Sequence, residues 1–359
     1  MPAAPAAFRA MMSTTPRPAL SVLDLVPVRA GQTSAEAVAA SLSVAQRADE
    51  LGYRRYWFAE HHNMPAVAST TPPVLVAAAA ARTTRIRVGS GGVMLPNHSP
   101  LVVAEQFAAL EAIAPGRIDL GLGRAPGSDP VITQLLRMTG TTSDVDRFPE
   151  HVRDILSLTS PEGSTVRFTS GGTYDVHATP AAATTPEVWL LGSSDYSAQL
   201  AAAYGLPYVF ANHFSGEGLE RALDLYRAQF TPSEYGEQPR TFLTANAVVA
   251  STPELAEARA LPQARMMARL RGNLPLTPLE TVEAAAAAEA EDRLAAPMLD
   301  GIRRRWFIGT GADVPGRIAE FAARYGVDEV MISAVAGAHE GEAADTAPTR
   351  RETLELLAG

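Results

Sequence analysis

From about Leu20 onward, short branched apolar runs alternate with longer alanine-rich amphipathic runs, and the alternation repeats eight times. The apolar runs are LSVLDLVPV (20–28), RYWFAE (55–60), RIRVGS (85–90), RIDLGLG (117–123), PEVWLLGSS (186–194), LPYVFANHF (206–214), RTFLTANAVVA (240–250) and VDEVMIS (327–333). Between them the period changes to that of a helix, over about 34–52, 73–82, 99–116, 148–159, 195–205, 216–230, 253–270 and 315–325, with a last helix in TRRETLELLA. Ser34 is placed to cap the first helix and Gly52 to stop it. A strand that returns through a helix runs parallel to its neighbour, and eight such units can close on themselves. The expected fold is α/β, a (β/α)8 TIM barrel, with excursions after strands four and seven (124–180 and 271–311). A doubly wound open sheet is the alternative. With no linker dividing the chain, residues 19–359 read as a single barrel domain behind a flexible N-terminal tail (1–18). Within the first excursion, VRFTSGGTYDV reads as a hairpin turning at SGG.

Composition narrows the chemistry. The 359 residues contain no cysteine, and all 30 basic residues are arginine. Thiol nucleophiles, disulfides and thiolate metal sites are excluded, as are a Schiff-base lysine and a P-loop lysine. Arginine for lysine throughout reads as genome-wide composition rather than function. A net charge of −9 without blocks of like charge argues against nucleic-acid or anionic-membrane partners. No apolar run approaches the ~20 residues of a membrane span, and the N-terminus lacks a continuous apolar core for a signal peptide. A cytoplasmic protein is expected.

In a barrel, function collects at the C-terminal ends of the strands. The sequence puts Glu60, His61, His62 and Asn63 after strand two, Gly89–Gly92 after strand three, Gly123, Arg124 and Gly127 after strand four, and Gly192, Ser193, Ser194 and Ser197 after strand five. Asn212 and His213 follow strand six, Asn246 lies in strand seven and Ser333 ends strand eight. Serine hydroxyls beside free N–H groups at a helix N-terminus suit a phosphate. The plain alternative is that Ser194 or Asp195 merely caps the helix, although three serines exceed what one cap needs. Arg124 could supply the countercharge bidentately or sit in a surface salt bridge. GLGRAPG fails as a dinucleotide fingerprint, because its third glycine is replaced by Pro126. Gly91 and Gly92 allow a backbone to press on a planar ring, or simply make a tight turn. His61 suits proton donation or a ligand hydrogen bond, or a core hydrogen bond. His61 and His62 point to opposite sides of a persisting strand, and no further ligand completes a metal site. The residues alone therefore describe an α/β barrel for a planar, phosphate-bearing ligand.

Taken together, YWFAEHHNMP (56–65), IRVGSGGVMLPNHSPLVVAEQF (86–107), PGRIDLGLGRAPG (115–127), WLLGSSDYSAQLAAAYGLPYVFANHF (189–214) and IGTGADVPGRIAEF (308–321) resemble the bacterial luciferase-like flavin-dependent monooxygenase superfamily, in its single-chain subgroup. The resemblance implies a (β/α)8 barrel that takes FMN already reduced by a separate flavin reductase. The FMN would react with O2 to a C4a-hydroperoxide that oxygenates a small organic substrate. It carries the phosphate site onto Arg124, Ser193, Ser194 and Ser197, a strand-three bulge with a frequent non-prolyl cis peptide onto Gly91–Gly92, and the active-site histidine onto His61. It also implies a homodimer. Two positions depart from the light-emitting members: serines replace a glutamate–serine pair at 193–194, and Gly123 stands where a reactive cysteine occurs. Both departures weigh against light emission. An F420-dependent hydride-transfer oxidoreductase on the same fold is the alternative, and a non-catalytic flavin-binding relative the second. The 271–311 excursion is a candidate lid, and Phe58, Met64, Met94, His213, Phe214 and Trp306 are candidates to line the substrate pocket.

Overall fold

The computed structural model describes residues 17–137, 145–214, 216–291 and 296–359. Most of the expected tail (1–16) lies outside them, and β1 begins at Ala19. Eight parallel strands close into a barrel in the order β1 (Ala19–Asp24), β2 (Arg55–Phe58), β3 (Arg87–Met94), β4 (Ile118–Gly123), β7 (Glu187–Gly192), β8 (Tyr208–Phe210), β9 (Thr241–Ala250) and β11 (Glu329–Ala334), which returns to β1. Closure is set by Ala19 opposite Glu329 on one seam and Tyr208 opposite Thr241 on another. The strands are buried along nearly their whole length, as parallel strands covered by helices must be.

The helices form the outer layer: α1 (Ser34–Leu51), α2 (Pro72–Ala80), α3 (Pro100–Ile113), α5 (Phe148–Thr159), α6 (Asp195–Tyr204), α7 (Leu219–Gln229), α8 (Pro253–Arg271), α11 (Val314–Tyr325) and α12 (Pro348–Ala358). The cap of α1 is Thr33 rather than Ser34. Its hydroxyl accepts from the Glu36 N–H while Glu36 reaches back to the Thr33 N–H, a reciprocal pair that Ser34 is one residue too late to make. Gly52 ends this helix in the left-handed region, as the sequence implies.

The hairpin expected at SGG is present, and the excursions hold further elements besides. The first contains α4 (Pro130–Arg137) and the antiparallel hairpin β5 (Ser164–Arg167) and β6 (Thr173–Val176). The second contains α9 (Val282–Glu291), α10 (Ala296–Arg303) and β10 (Phe307–Thr310), which pairs with the far half of the ten-residue β9. Strand three also runs past its expected end. It passes through Gly91 and Gly92 to Met94, and its pairing with β4 shifts register between Ser90 and Val93.

The N-terminal end of the barrel interior is filled by Trp57, Trp189, Phe242, Leu23 and Met331. Into this aromatic floor comes Arg55, nearly buried, its guanidinium 4.7 Å from the Trp189 ring centre and paired to Glu329 at 2.8 Å and Asp119 at 3.0 Å. The floor is closed by packing and charge pairing, and the opposite end is open.

Candidate active site

At the open end, the strand ends and the segment after α8 enclose a cavity of about 580 Å3. Asp24 at the end of β1 and Leu25 after it, His61 and His62 after β2, Ala125–Pro130 after β4, His213 and Phe214 after β8, Asn246 from β9, and Ser333–Ala336 at and just after the end of β11 contribute to its wall. The far wall is apolar, with Met266, Met267 and Leu270 from α8 and Leu274, Leu276 and Leu279 beyond it. Of the lid candidate (271–311), Asn273, Leu274, Leu276 and Leu279 are the described residues that line the cavity, and Leu279 is fixed there by backbone hydrogen bonds with Val28 and Ala30. Of the expected pocket residues, Met64, His213 and Phe214 line the cavity. Phe58 and Trp306 do not: they are packed into hydrophobic clusters, 0% and 6% exposed. Met94 also lies outside its lining.

Acidic and imidazole groups converge behind the wall, which His62 reaches. Glu60, fully buried, receives His62 Nε2 at 2.9 Å and His98 Nε2 at 2.8 Å on one oxygen, and the Met94 N–H at 3.0 Å on the other. Burial pushes this carboxyl up, but the two histidine hydrogen bonds, the His98 charge and the Met94 amide outweigh it and hold it down at about 2. His98 was not singled out from the sequence, since only the β2–β3 pairing brings it to Glu60. His61 turns elsewhere. Its Nδ1 is buried without a hydrogen-bond partner, and burial lowers its pKa, with Glu60 opposing and His62 adding to the effect. The ring is therefore a neutral imidazole on the cavity wall. Deeper, Asp24 pairs with Arg350 of α12 at 2.7 Å and accepts the Tyr56 hydroxyl, a buried network reaching the cavity from the C-terminal helix.

Arg124 follows the end of β4, and Ser193, Ser194 and Ser197 follow the end of β7, the strand paired beside it; none of the four lines the cavity, whose wall includes Ala125. Ser194 occupies the N-cap position of α6, yet its hydroxyl makes no capping bond. Ser193 and Ser194 are exposed, and Asp195 is drawn away to Arg221 at 2.9 Å. Arg124 stacks 4.1 Å over the Tyr196 ring, and among the described residues no carboxylate pairs with it. Among the described residues this leaves one guanidinium, two hydroxyls and a helix N-terminus without a protein partner for their anion-binding groups, and that donor set fits a phosphate monoester. Ser197 differs. It is buried, and its hydroxyl donates to the Ser194 carbonyl at 2.8 Å and lies 3.3 Å from the Tyr208 hydroxyl. It holds the turn on which Ser193 and Ser194 sit.

The Gly91–Gly92 peptide is cis. The glycines also have a packing reason of their own. A Cβ on Gly91 would stand 2.7 Å from Leu23 Cδ1, and one on Gly92 would stand 2.8 Å from the Gly121 carbonyl oxygen. Neither lines the cavity, so the barrel wall by itself accounts for both.

Comparison with known proteins agrees with this fold. The sequence profile of the luciferase-like monooxygenases matches residues 19–329. The chain is 39% identical over 321 residues to YvbT of Bacillus subtilis, covering 88% of this chain and 90% of that protein. It is 45% identical over 241 residues to a luciferase-like monooxygenase of Escherichia coli K12, covering 67% and 69%. Among solved structures, apo-MsnO8 superposes with a TM-score of 0.80 at 31% identity, covering 96% of this chain and 97% of that one. The fold alone is shared with the oxygenating constituent of 3,6-diketocamphane monooxygenase in complex with FMN (TM-score 0.69, 18% identity, 96% and 97% covered). It is likewise shared with an F420-dependent secondary alcohol dehydrogenase (0.65, 16%, 95% and 99%). With its profile match over most of the chain and its eight-stranded barrel, the chain belongs to the luciferase-like monooxygenase family.

Proposed function

We propose that this protein is a flavin-dependent monooxygenase that binds reduced FMN, delivered by a separate reductase, and uses O2 to oxygenate a small organic substrate. The observation that carries the reading is the uncapped N-terminus of α6, with Ser193 and Ser194 exposed and Arg124 free of any carboxylate partner among the described residues. These groups would hold the FMN phosphate, and Ser197 would support them from behind. When bound, reduced FMN supplies the electrons that activate O2. The chain's own part is to position the ligand, exclude water and keep a neutral imidazole at hand. His61 would donate or accept a hydrogen bond at the cavity wall without carrying charge there. Leu274, Leu276 and Leu279 close the apolar side against solvent. A homodimer and a cytoplasmic location belong to the same proposal, the first on the family resemblance and the second on the composition.

F420 is the second reading, since a solved structure of this fold holds it. The phosphate residues would serve either cofactor; the runs EHHNMP (60–65) and GSGGVMLPNHSP (89–100) are what favours FMN. Substituting Ser193→Ala together with Ser194→Ala tests the cradle. FMN affinity should fall at least tenfold, as expected when charge-assisted hydrogen bonds are lost, while riboflavin affinity holds. Equal loss for both ligands would remove the phosphate assignment.

A further inference from the structure

The proposed monooxygenase reading leaves the chemical class of the substrate open, and His213 narrows it. Its backbone N–H and its Nδ1 both meet Thr244 Oγ1, at 3.2 and 2.8 Å, and its carbonyl accepts from Asn246 Nδ2 at 2.9 Å. The Thr244 hydroxyl directs its single proton to the Phe210 carbonyl at 3.3 Å. A hydroxyl carries one proton and two lone pairs, so both lone pairs are left for His213. The network therefore assigns the imidazole proton to Nδ1. Burial, with His61 nearby, lowers the pKa of this ring to about 4, so it is neutral at pH 7. Nε2 is then a bare acceptor, and no described protein group bonds to it. The ring lines the cavity, and Met64, Met266, Met267 and Leu270 make much of the remaining wall apolar. An acceptor in such surroundings is costly to leave unmatched, so it selects for a donor.

We infer that the cavity takes an apolar organic substrate bearing one hydroxyl or N–H group, which donates a hydrogen bond to Nε2 of His213. Resting on the proposed substrate site, this makes His213 a specificity residue. It disfavours ethers, hydrocarbons and carboxylates, which bring no proton to the ring at neutral pH.

The test uses the full chain without added cofactor and two probes of nearly the same shape, 4-butylphenol and 1-butyl-4-fluorobenzene, titrated by calorimetry. The phenol should bind about tenfold more tightly, the scale of one hydrogen bond. His213→Phe should bring the ratio below about threefold. Thr244→Val, which removes the partner of Nδ1–H and frees the tautomer while keeping the ring, should lower it as well. If His213→Phe does not fold, Thr244→Val decides. No preference for the phenol in the unaltered protein, including binding of neither probe, overturns the inference. So does a preference that survives the decisive variant. A variant that loses FMN affinity while keeping the phenol preference would assign the acceptor to the flavin instead. Because the probes are read without cofactor, failure of FMN to bind would sink the monooxygenase proposal and leave this result standing.

Discussion

His98 Nε2 lies 2.8 Å from Glu60 Oε1, joining the residue that follows β2 to the turn that follows β3. With His62 on the same oxygen and the Met94 amide on the other, Glu60 ties two adjacent strand ends at the cavity wall. The carboxylate is wholly buried, so its three donors are what keep it ionised.

Stability should therefore depend on acid through Glu60. Its carboxyl sits at about 2 when folded against an ordinary 4.5, so its contribution is complete above about pH 5 and is lost as the pH falls towards 2. A shift of this size corresponds to roughly 3 kcal/mol. Denaturant melts of the protein and of Glu60→Gln should differ by about that amount at pH 7 and converge near pH 2. A difference that does not change with pH would assign the loss to packing rather than to charge.

Arg124→Gln should weaken FMN at least tenfold, because a charge-assisted contact to phosphate is lost. Riboflavin should bind as before, and thermal stability should change little, since the side chain stacks on Tyr196 without an ion pair. Isothermal titration with both ligands checks this. A matching loss for riboflavin would mean that Arg124 supports the ring site instead.

At the closed end, Arg55→Met should cost about 3–5 kcal/mol, because it strands the buried Asp119 and Glu329 carboxylates. Arg87, 2.6 Å from Asp119, and Arg54, 3.2 Å from Glu329, remain as partners and put the loss towards the lower figure. Flavin affinity should survive in the folded fraction, since this cluster lies at the opposite end of the barrel. Urea unfolding with parallel FMN titration reads both quantities.

Gly92→Ala should destabilise by about 1–3 kcal/mol, and Gly91→Ala by less. The first places a methyl against a fixed backbone carbonyl, the second against the end of a leucine side chain that can move. Thermal melts rank the two, and the reverse order would contradict the packing account.

The sequence made the barrel legible because parallel strands covered on both sides are continuous apolar runs, and the eight of them stand out against the helical period. It made the short strand β10 illegible. FIGT has only four residues, and its partner is the far half of β9, which nothing local announces. Strand three was read short because glycine in a strand marks a break, whereas here the ladder shifts register and resumes at Val93. At the open end, the strand-end rule gave the positions of Arg124, Ser193, Ser194 and His61, which follow β4, β7 and β2. It could not tell that Ser197 is turned inward, nor that Trp306 and Phe58 are core, because burial depends on neighbours far along the chain. The Glu60–His98 contact spans 38 residues and needs the β2–β3 pairing, while the Asp24–Arg350 contact spans 326 and needs the closing β1–β11 seam.

The central claim is that this barrel binds FMN by its phosphate and prefers it reduced. A parallel fluorescence titration of the purified protein with FMN and with F420, each oxidised and reduced, tests it most directly. The account predicts tightest binding for reduced FMN. Tighter binding of F420 would contradict it, leaving the barrel and the phosphate cradle in place but replacing oxygen chemistry with hydride transfer.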